Sequence, residues 1–402
     1  MNNNIRRLEA NIRKFYAFAV LFWIVFWQPV IVLFWLQNGV TMTQVYLIKG
    51  LHSLTMVILE APSGALADYI GKRFTLFWAT VAGVCSLILY SIGDGFWYFL
   101  VAEILAAVGT SFISGADSAF IHKTLSHLGR RDDFSAVMGR VVALQLTAQA
   151  VSGILGGIIG NYSYRWTMYA SLVTTVPCTF ITFSLYEPRS SRETSQKSYM
   201  QVLTEGFRLI VKDRLLTWLT VYFALLVSFD LIILWAYQPY MKLVGLPVLY
   251  FGAVFAAFNL VAALASRYAD AVQRATRYSI LLFILPTLMI GSVFLMSSAL
   301  ALWSFVFIFG LQVTRGLRVP VVHSKMLDRI PSDQQATVLS IASLASRVMF
   351  FVLSPVFGWV AEQQGIPYAL KTAGATATII FFMMVVWYFL QGFNRMIMHS
   401  SG

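Results

Sequence analysis

The sequence predicts an all-α polytopic membrane protein: twelve transmembrane helices in two six-helix halves, with both termini cytoplasmic. Three observations predict it. Hydrophobic residues make up 58% of the 402 and charged residues only 11%, a balance that a soluble domain of this length could not bury. Apolar windows of spanning length, roughly 20 residues each, recur about twelve times between Phe15 and Phe393. Finally, the cations gather in alternate joints between those windows.

In chain order, Arg6, Arg7, Arg13 and Lys14 precede the first window. That window runs about 22 residues without a small-x-small cleavage site, so it reads as a retained helix and not a signal peptide. Lys72 and Arg73 follow the second window, and Arg130 and Arg131 follow the fourth. Arg189, Arg192, Lys197, Arg208, Lys212 and Arg214 fill the middle connection. Arg274 and Arg277 follow the eighth window, Arg329 the tenth, and Arg395 ends the twelfth. The joints near Asn38, Asp94, Tyr162, Gly245 and Ser298 hold few cations. The formal charge of +12 is thus a positive-inside topology signal and not a nucleic-acid surface. Cys85 and Cys178 fall inside apolar runs and behave as small hydrophobes. No disulfide, metal site or cofactor is implied.

Polarity rises between Glu187 and Arg214, which divides the chain into an amino-terminal half (1–186), a linker (187–214) and a carboxy-terminal half (215–402). Within SYMQVLTEGFRLIVKDRLL, Val202, Leu203, Leu209 and Ile210 recur at helical spacing among charges, as in an interfacial amphipathic helix on the cytoplasmic surface. The halves repeat weakly. Gly64, Asp68 and Lys72 return as Ser266, Asp270 and Arg274, with Gln273 in place of the second glycine. Gly153 and Gly156 return as Pro355 and Gly358, and Gly115, Asp117 and His122 as Gly316, Arg318 and His323. Parallel repeats of this kind place a site at the midplane between them.

The sharpest motif is GALADYIGKR, Gly64 to Arg73, between the second and third windows. Gly64 would allow close helix approach, Gly71 the backbone turn, and Lys72 with Arg73 would hold the loop in the cytoplasm. Its spacing, G-x-x-x-D-x-x-G-[RK]-[RK], resembles the loop between helices 2 and 3 of the major facilitator superfamily of secondary transporters, a bacterial drug or metabolite exporter-like member. The resemblance implies a multi-pass protein of the bacterial inner membrane. It would act as a monomer on a small molecule, with protons and the bilayer as its other partners. It also implies that Asp68 contacts the opposite half near the start of the eleventh helix, where Ser332 or Asp333 would be the cap, and so latches one conformation.

Ionisable groups at membrane depth are costly and are functional candidates by default. Asp230 and Arg347 lie near the midplane, Glu103 toward the outer side, and Glu60, Asp117, Arg140, Arg315 and Arg318 in the cytoplasmic half. Asp230 and Glu103 are the proton-coupling candidates, with a static Asp230–Arg347 pair as the competing reading of the former. Asp117 with Arg318 would close an inner gate, unless Asp117 pairs with Arg140 and Glu60 with Arg315 as packing clamps. His52, His122 and His323 have no carboxylate at i±4 and read as hydrogen-bonded helix residues. Trp27 and Gln28 precede Pro29, and Trp235 and Gln238 precede Pro239, so both helices would bend beside an aromatic and amide lining. With Arg315 and Arg347 these are the cavity candidates. The run SGILGGIIG, Ser152 to Gly160, partly resembles the antiporter signature of the superfamily but lacks its proline. It is equally the composition of a close helix contact.

The pattern points to a secondary active transporter working by alternating access, with proton-coupled efflux as the leading expectation. A proton-coupled importer or facilitator of a small anionic metabolite, supported by Arg315, Arg318 and Arg347, is the alternative. A receptor or structural subunit without transport is a further one. Nucleophile elbow, phosphate loop and metal-ligand clusters are all missing from the sequence, which argues against an enzyme.

Overall fold

A backbone in hydrocarbon must satisfy its own polar groups, and a single segment can do so only as a helix. In the computed structural model, residues 3–187 and 199–392 are described, and they are helical with no strand among them. In order the helices are α1 (Asn3–Phe22), α2 (Ile31–Gln37), α3 (Met42–Ile70), α4 (Lys72–Ile92), α5 (Gly95–His127), α6 (Phe134–Tyr162), α7 (Tyr164–Phe183) and α8 (Tyr199–Lys212). They continue with α9 (Arg214–Leu243), α10 (Phe251–Arg267), α11 (Ala269–Ala275), α12 (Tyr278–Ser298), α13 (Ile308–Leu327), α14 (Gln335–Gln364) and α15 (Ile366–Leu390). Ten helices among the described residues are long and apolar enough to cross a membrane. The other helices, α1 and α7 among them, fall outside that set. Arg189, Arg192, Lys197 and Arg395, and most of the first part of the linker, lie outside the described residues.

The chain forms two compact units. The first comprises Met1–Thr41, Leu51–Thr194 and Pro247–Ala256, and the second Met42–Gly50, Ser195–Leu246 and Ala257–Gly402. The first turns of α3 therefore count with the second unit, and the first turns of α10 with the first.

In the first unit, Phe15, Phe18, Leu76, Phe120 and Ile121 form the buried core. Asn11 is bonded both ways to the Tyr186 backbone, at 2.7 and 2.9 Å, which ties α1 to the end of α7. Arg165 donates to Asn38 Oδ1 at 2.9 Å, to the Ser91 carbonyl at 3.0 Å and to Asp94, gathering the ends of α2, α4 and α5. In the second unit, buried aromatic residues turn their polar ends to neighbouring backbones: Trp218 to Met384 at 2.9 Å and Tyr222 to Leu282 at 2.7 Å.

Pro29 and Pro239 behave differently. Residues 23–30 leave the helical path between α1 and α2, whereas α9 runs unbroken through Pro239. The break is re-satisfied locally. The Val25 N–H donates to Ser152 Oγ at 3.0 Å, and Gln28 and Val30 bond back to Val25 and Trp27. A Cβ at Gly156 would overlap the Phe26 carbonyl, so the glycine run of α6 makes room for this irregular backbone. The same run receives α10. A Cβ on Gly157 would sit 2.9 Å from the Gly252 nitrogen, and one on Gly252 would overlap the Gly153 carbonyl.

One capping expectation is corrected. The helix α14 begins at Gln335 after Gln334, with no side-chain cap, so neither Ser332 nor Asp333 closes its first turn. The cap that does form is Asp213, which accepts the Leu215 and Leu216 N–H groups at 2.9 and 3.1 Å and so separates α8 from α9.

Candidate functional site

Each unit carries its own buried ionic cluster. In the first, Glu103 of α5 is 3% exposed. Tyr90 of α4 donates to its Oε1 at 2.9 Å. His52 of α3 places Nδ1 at 2.7 Å from Oε2 and bonds the Glu103 carbonyl oxygen through the same nitrogen at 3.1 Å. A carbonyl oxygen only accepts, so the bond to it assigns the proton to Nδ1. Trp35 stacks on Tyr90 with ring centroids 6.2 Å apart, and Phe34 and Phe99 close round the same ring, so the tyrosine that holds the carboxylate is itself fixed by aromatic packing. The i±4 search could not have found this pair, because the carboxylate reaches His52 from another helix.

In the second unit, Asp230 of α9 is 5% exposed and accepts Arg318 Nη1 of α13 at 2.8 Å. Seven residues on, along the same stripe of α9, the Tyr237 hydroxyl accepts Gln312 Nε2 at 3.0 Å. Arg315, one turn before Arg318, donates to Gln312 Oε1 at 3.3 Å and to Asn259 Oδ1 of α10 at 3.4 Å. Gln312 thus links Tyr237 to Arg315, and Arg318, three residues on from Arg315 along α13, holds Asp230. Arg318 Nε is buried without an acceptor.

This pairing corrects the sequence-based partners. Asp230 is held by Arg318 and not by Arg347. Within the second unit Arg318 bonds Asp230, and Arg315 bonds the amides of Asn259 and Gln312. Asp117 accepts from the Ser118 N–H of its own helix, and Arg140 is exposed, so the Asp117–Arg140 clamp does not form. Glu60 is half-buried. Of the cavity candidates, Trp27 and Gln28 lie on the irregular stretch before α2 in the first unit. Trp235, Gln238, Arg315 and Arg347 belong to the second.

One charge escaped the sequence reading. Lys49, inside the apolar run of α3, is 4% exposed and lies 3.9 Å from the Trp235 ring centroid. Its ammonium is stabilised by the ring face.

At GALADYIGKR the turn is made as expected, with Gly71 at φ +95°. Asp68, with a side chain 77% exposed, pairs with Lys72 at 3.2 Å, and the repeat keeps this geometry as Asp270 with Arg274 at 2.7 Å. Gly64 differs from expectation, since a Cβ there would meet nothing within 4 Å. Arg73 donates its backbone N–H to Glu187 Oε2 at 2.8 Å and its guanidinium to the Phe183 carbonyl, while Lys123 reaches Glu187 Oε1 at 3.0 Å. Glu187 thus binds the amino end of α4, where free N–H groups favour an anion.

The sequence profile of the Major Facilitator Superfamily matches residues 15–354. An uncharacterized MFS-type transporter, YxaM of Bacillus subtilis (strain 168), is 22% identical over 86% of this chain and 89% of its own length. The uncharacterized MFS-type transporter MJ1560 of Methanocaldococcus jannaschii is 20% identical over 40% of this chain, and the match spans 42% of that protein. The crystal structure of nucleoside transporter NupG superposes with a TM-score of 0.79, covering 96% of this chain and 99% of its own, at 11% identity. At that identity the likeness is one of fold.

Proposed function

This chain belongs to the major facilitator superfamily of membrane transporters, and from that premise we propose that it couples the movement of a small organic molecule to protons through Glu103 and His52. It is a multi-pass membrane transporter and not an enzyme. In the proposed cycle two six-helix halves, 1–186 and 215–402 joined by the 187–214 linker, alternate access to the substrate. Both termini are cytoplasmic in the inner membrane of a bacterium, the protein acts as a monomer, and exchange against protons drives export.

The observation that carries this reading is the Glu103–His52 pair. A coupling group must change charge during the cycle, and both members of this pair can do so. Asp230 faces a guanidinium, which does not deprotonate in proteins, so only one member of that pair could exchange a proton. The glycine run of α6 is what suggests exchange over co-transport, through its partial resemblance to the antiporter signature.

The test is reconstitution in liposomes under an imposed pH gradient, following lumenal pH while lipophilic cations, sugars and carboxylates are added. Substrate-dependent proton flux should be present in the wild type and lost in Glu103→Gln, with labelled substrate still equilibrating. The sign of the flux separates exporter from importer. Full coupling in Glu103→Gln and in His52→Gln would sink the assignment.

A further inference from the structure

Resting on the transport reading, we infer that the α9–α10–α13 cluster of the second unit is an anion site, and that the transported molecule presents a carboxylate to Arg315 and Arg318. The argument begins with charge. Arg318 faces the Asp230 carboxylate while Arg315 faces only amide oxygens, so the cluster has an excess of one positive charge at membrane depth. An uncompensated charge there is expensive.

Hydrogen bonding points the same way. Arg315 has five donors, and its bonds are two long contacts to amide oxygens from a single nitrogen, at 3.3 and 3.4 Å. Arg318 gives Nη1 to Asp230 and leaves Nε buried with no acceptor. The spacing of three residues puts both arginines on one face of α13. Asp230 fixes Arg318, and Gln312, itself bonded to Tyr237, positions Arg315.

Two planar forks one turn apart, short of acceptors by one charge, match a planar monoanion with two oxygens. A carboxylate neutralises the excess. A phosphate dianion would overshoot it, and a cationic substrate would add to it. Small organic acids are therefore the expected class.

The test is a thermal melt of the purified full-length protein in detergent with acetate, pyruvate and benzoate, against benzamide as the neutral isostere and inorganic phosphate as the dianion. At least one monocarboxylate should raise the melting temperature saturably, with benzamide inert and phosphate weaker. Arg315→Gln should weaken half-saturation about tenfold or more, and Arg315→Lys, which keeps the charge without the fork, should weaken it less.

Without ligand, Arg315→Gln should melt no lower than the wild type, because it removes the uncompensated charge. A lower unliganded melt would make Arg315 a structural cation and overturn the site. So would silence with all three monocarboxylates, or unchanged half-saturation in Arg315→Gln. Binding is read here without flux. Carboxylate binding lost in Arg315→Gln supports the site even if Glu103→Gln proves the proton assignment wrong.

Discussion

Removing the Asp230 carboxylate should be the most damaging single change in the second unit. In Asp230→Asn the amide oxygen still accepts from Arg318 Nη1, so a neutral hydrogen bond of about 1 kcal/mol survives. What is lost is the counter-charge to Arg318, with Arg315 one turn away on the same face of α13. Breaking a buried pair by deleting one partner costs about 3–5 kcal/mol. With side chains only 6% and 11% exposed, solvent screening gives little relief, and the surviving bond places the expected loss near about 3 kcal/mol.

Arg318→Gln should cost less, because Asp230 keeps Arg315 as a nearby cation. The double variant removes opposite charges together and should recover most of the loss, with a coupling energy of about 2 kcal/mol. Equilibrium unfolding of the detergent-solubilised protein in a denaturant series reads all four corners of this cycle. Strict additivity would refute the pair. Wild-type stability in Asp230→Asn together with lost proton flux would refute it more sharply, because Asp230 would then be a protonated carrier and not a fixed charge.

Two further predictions use the packing directly. Gly156→Ala should destabilise by about 1–3 kcal/mol through overpacking against the Phe26 carbonyl, whereas Gly64→Ala, with nothing within 4 Å, should leave the melt unchanged or slightly raised. A thermal melt of both variants checks the contrast. Glu187→Gln keeps one acceptor for Arg73 or Lys123 but loses its charge at the amino end of α4, so a loss of about 1 kcal/mol is expected by the same melt.

Much of the fold was legible because it depends on composition. Apolar runs of spanning length need no partner to be recognised, and the Gly71 turn is a local requirement that only one residue type meets cheaply. The second copy shows the same dependence. Where Gln273 replaces the glycine, the reversal moves past α11 to the extended Thr276 and Arg277. The sites were less legible, because a charge in a membrane helix chooses its partner from other helices and no spacing within one helix records that choice. Asp230, Glu103, Arg315 and Arg318 were all marked by their cost in hydrocarbon, but His52 with Glu103 and Arg318 with Asp230 emerge only from the packing. Lys49 was overlooked for a related reason. It lies about two turns inside α3, and the Trp235 ring that covers it comes from another helix. The broken helix before α2 was half visible. Pro29 and Pro239 each follow a glutamine in an apolar run, and at Pro29 the Ser152 hydroxyl and the space over Gly156 receive the irregular backbone.

The two clusters differ in a way that fits a division of labour. A proton site works only if its charge can vanish in transit, and the first unit pairs a carboxylate with an imidazole, each able to lose its charge and so to cross low dielectric without a stranded ion. A substrate anchor must hold its charge whatever the proton does, and the second unit uses guanidinium groups that keep theirs. Placing the two kinds of group in one cluster would pair the proton-carrying carboxylate with fixed cations, as Asp230 is paired with Arg318, and would work against coupling. The separation of Glu103 and His52 from Arg315 and Arg318 into different units is therefore a requirement of the proposed cycle.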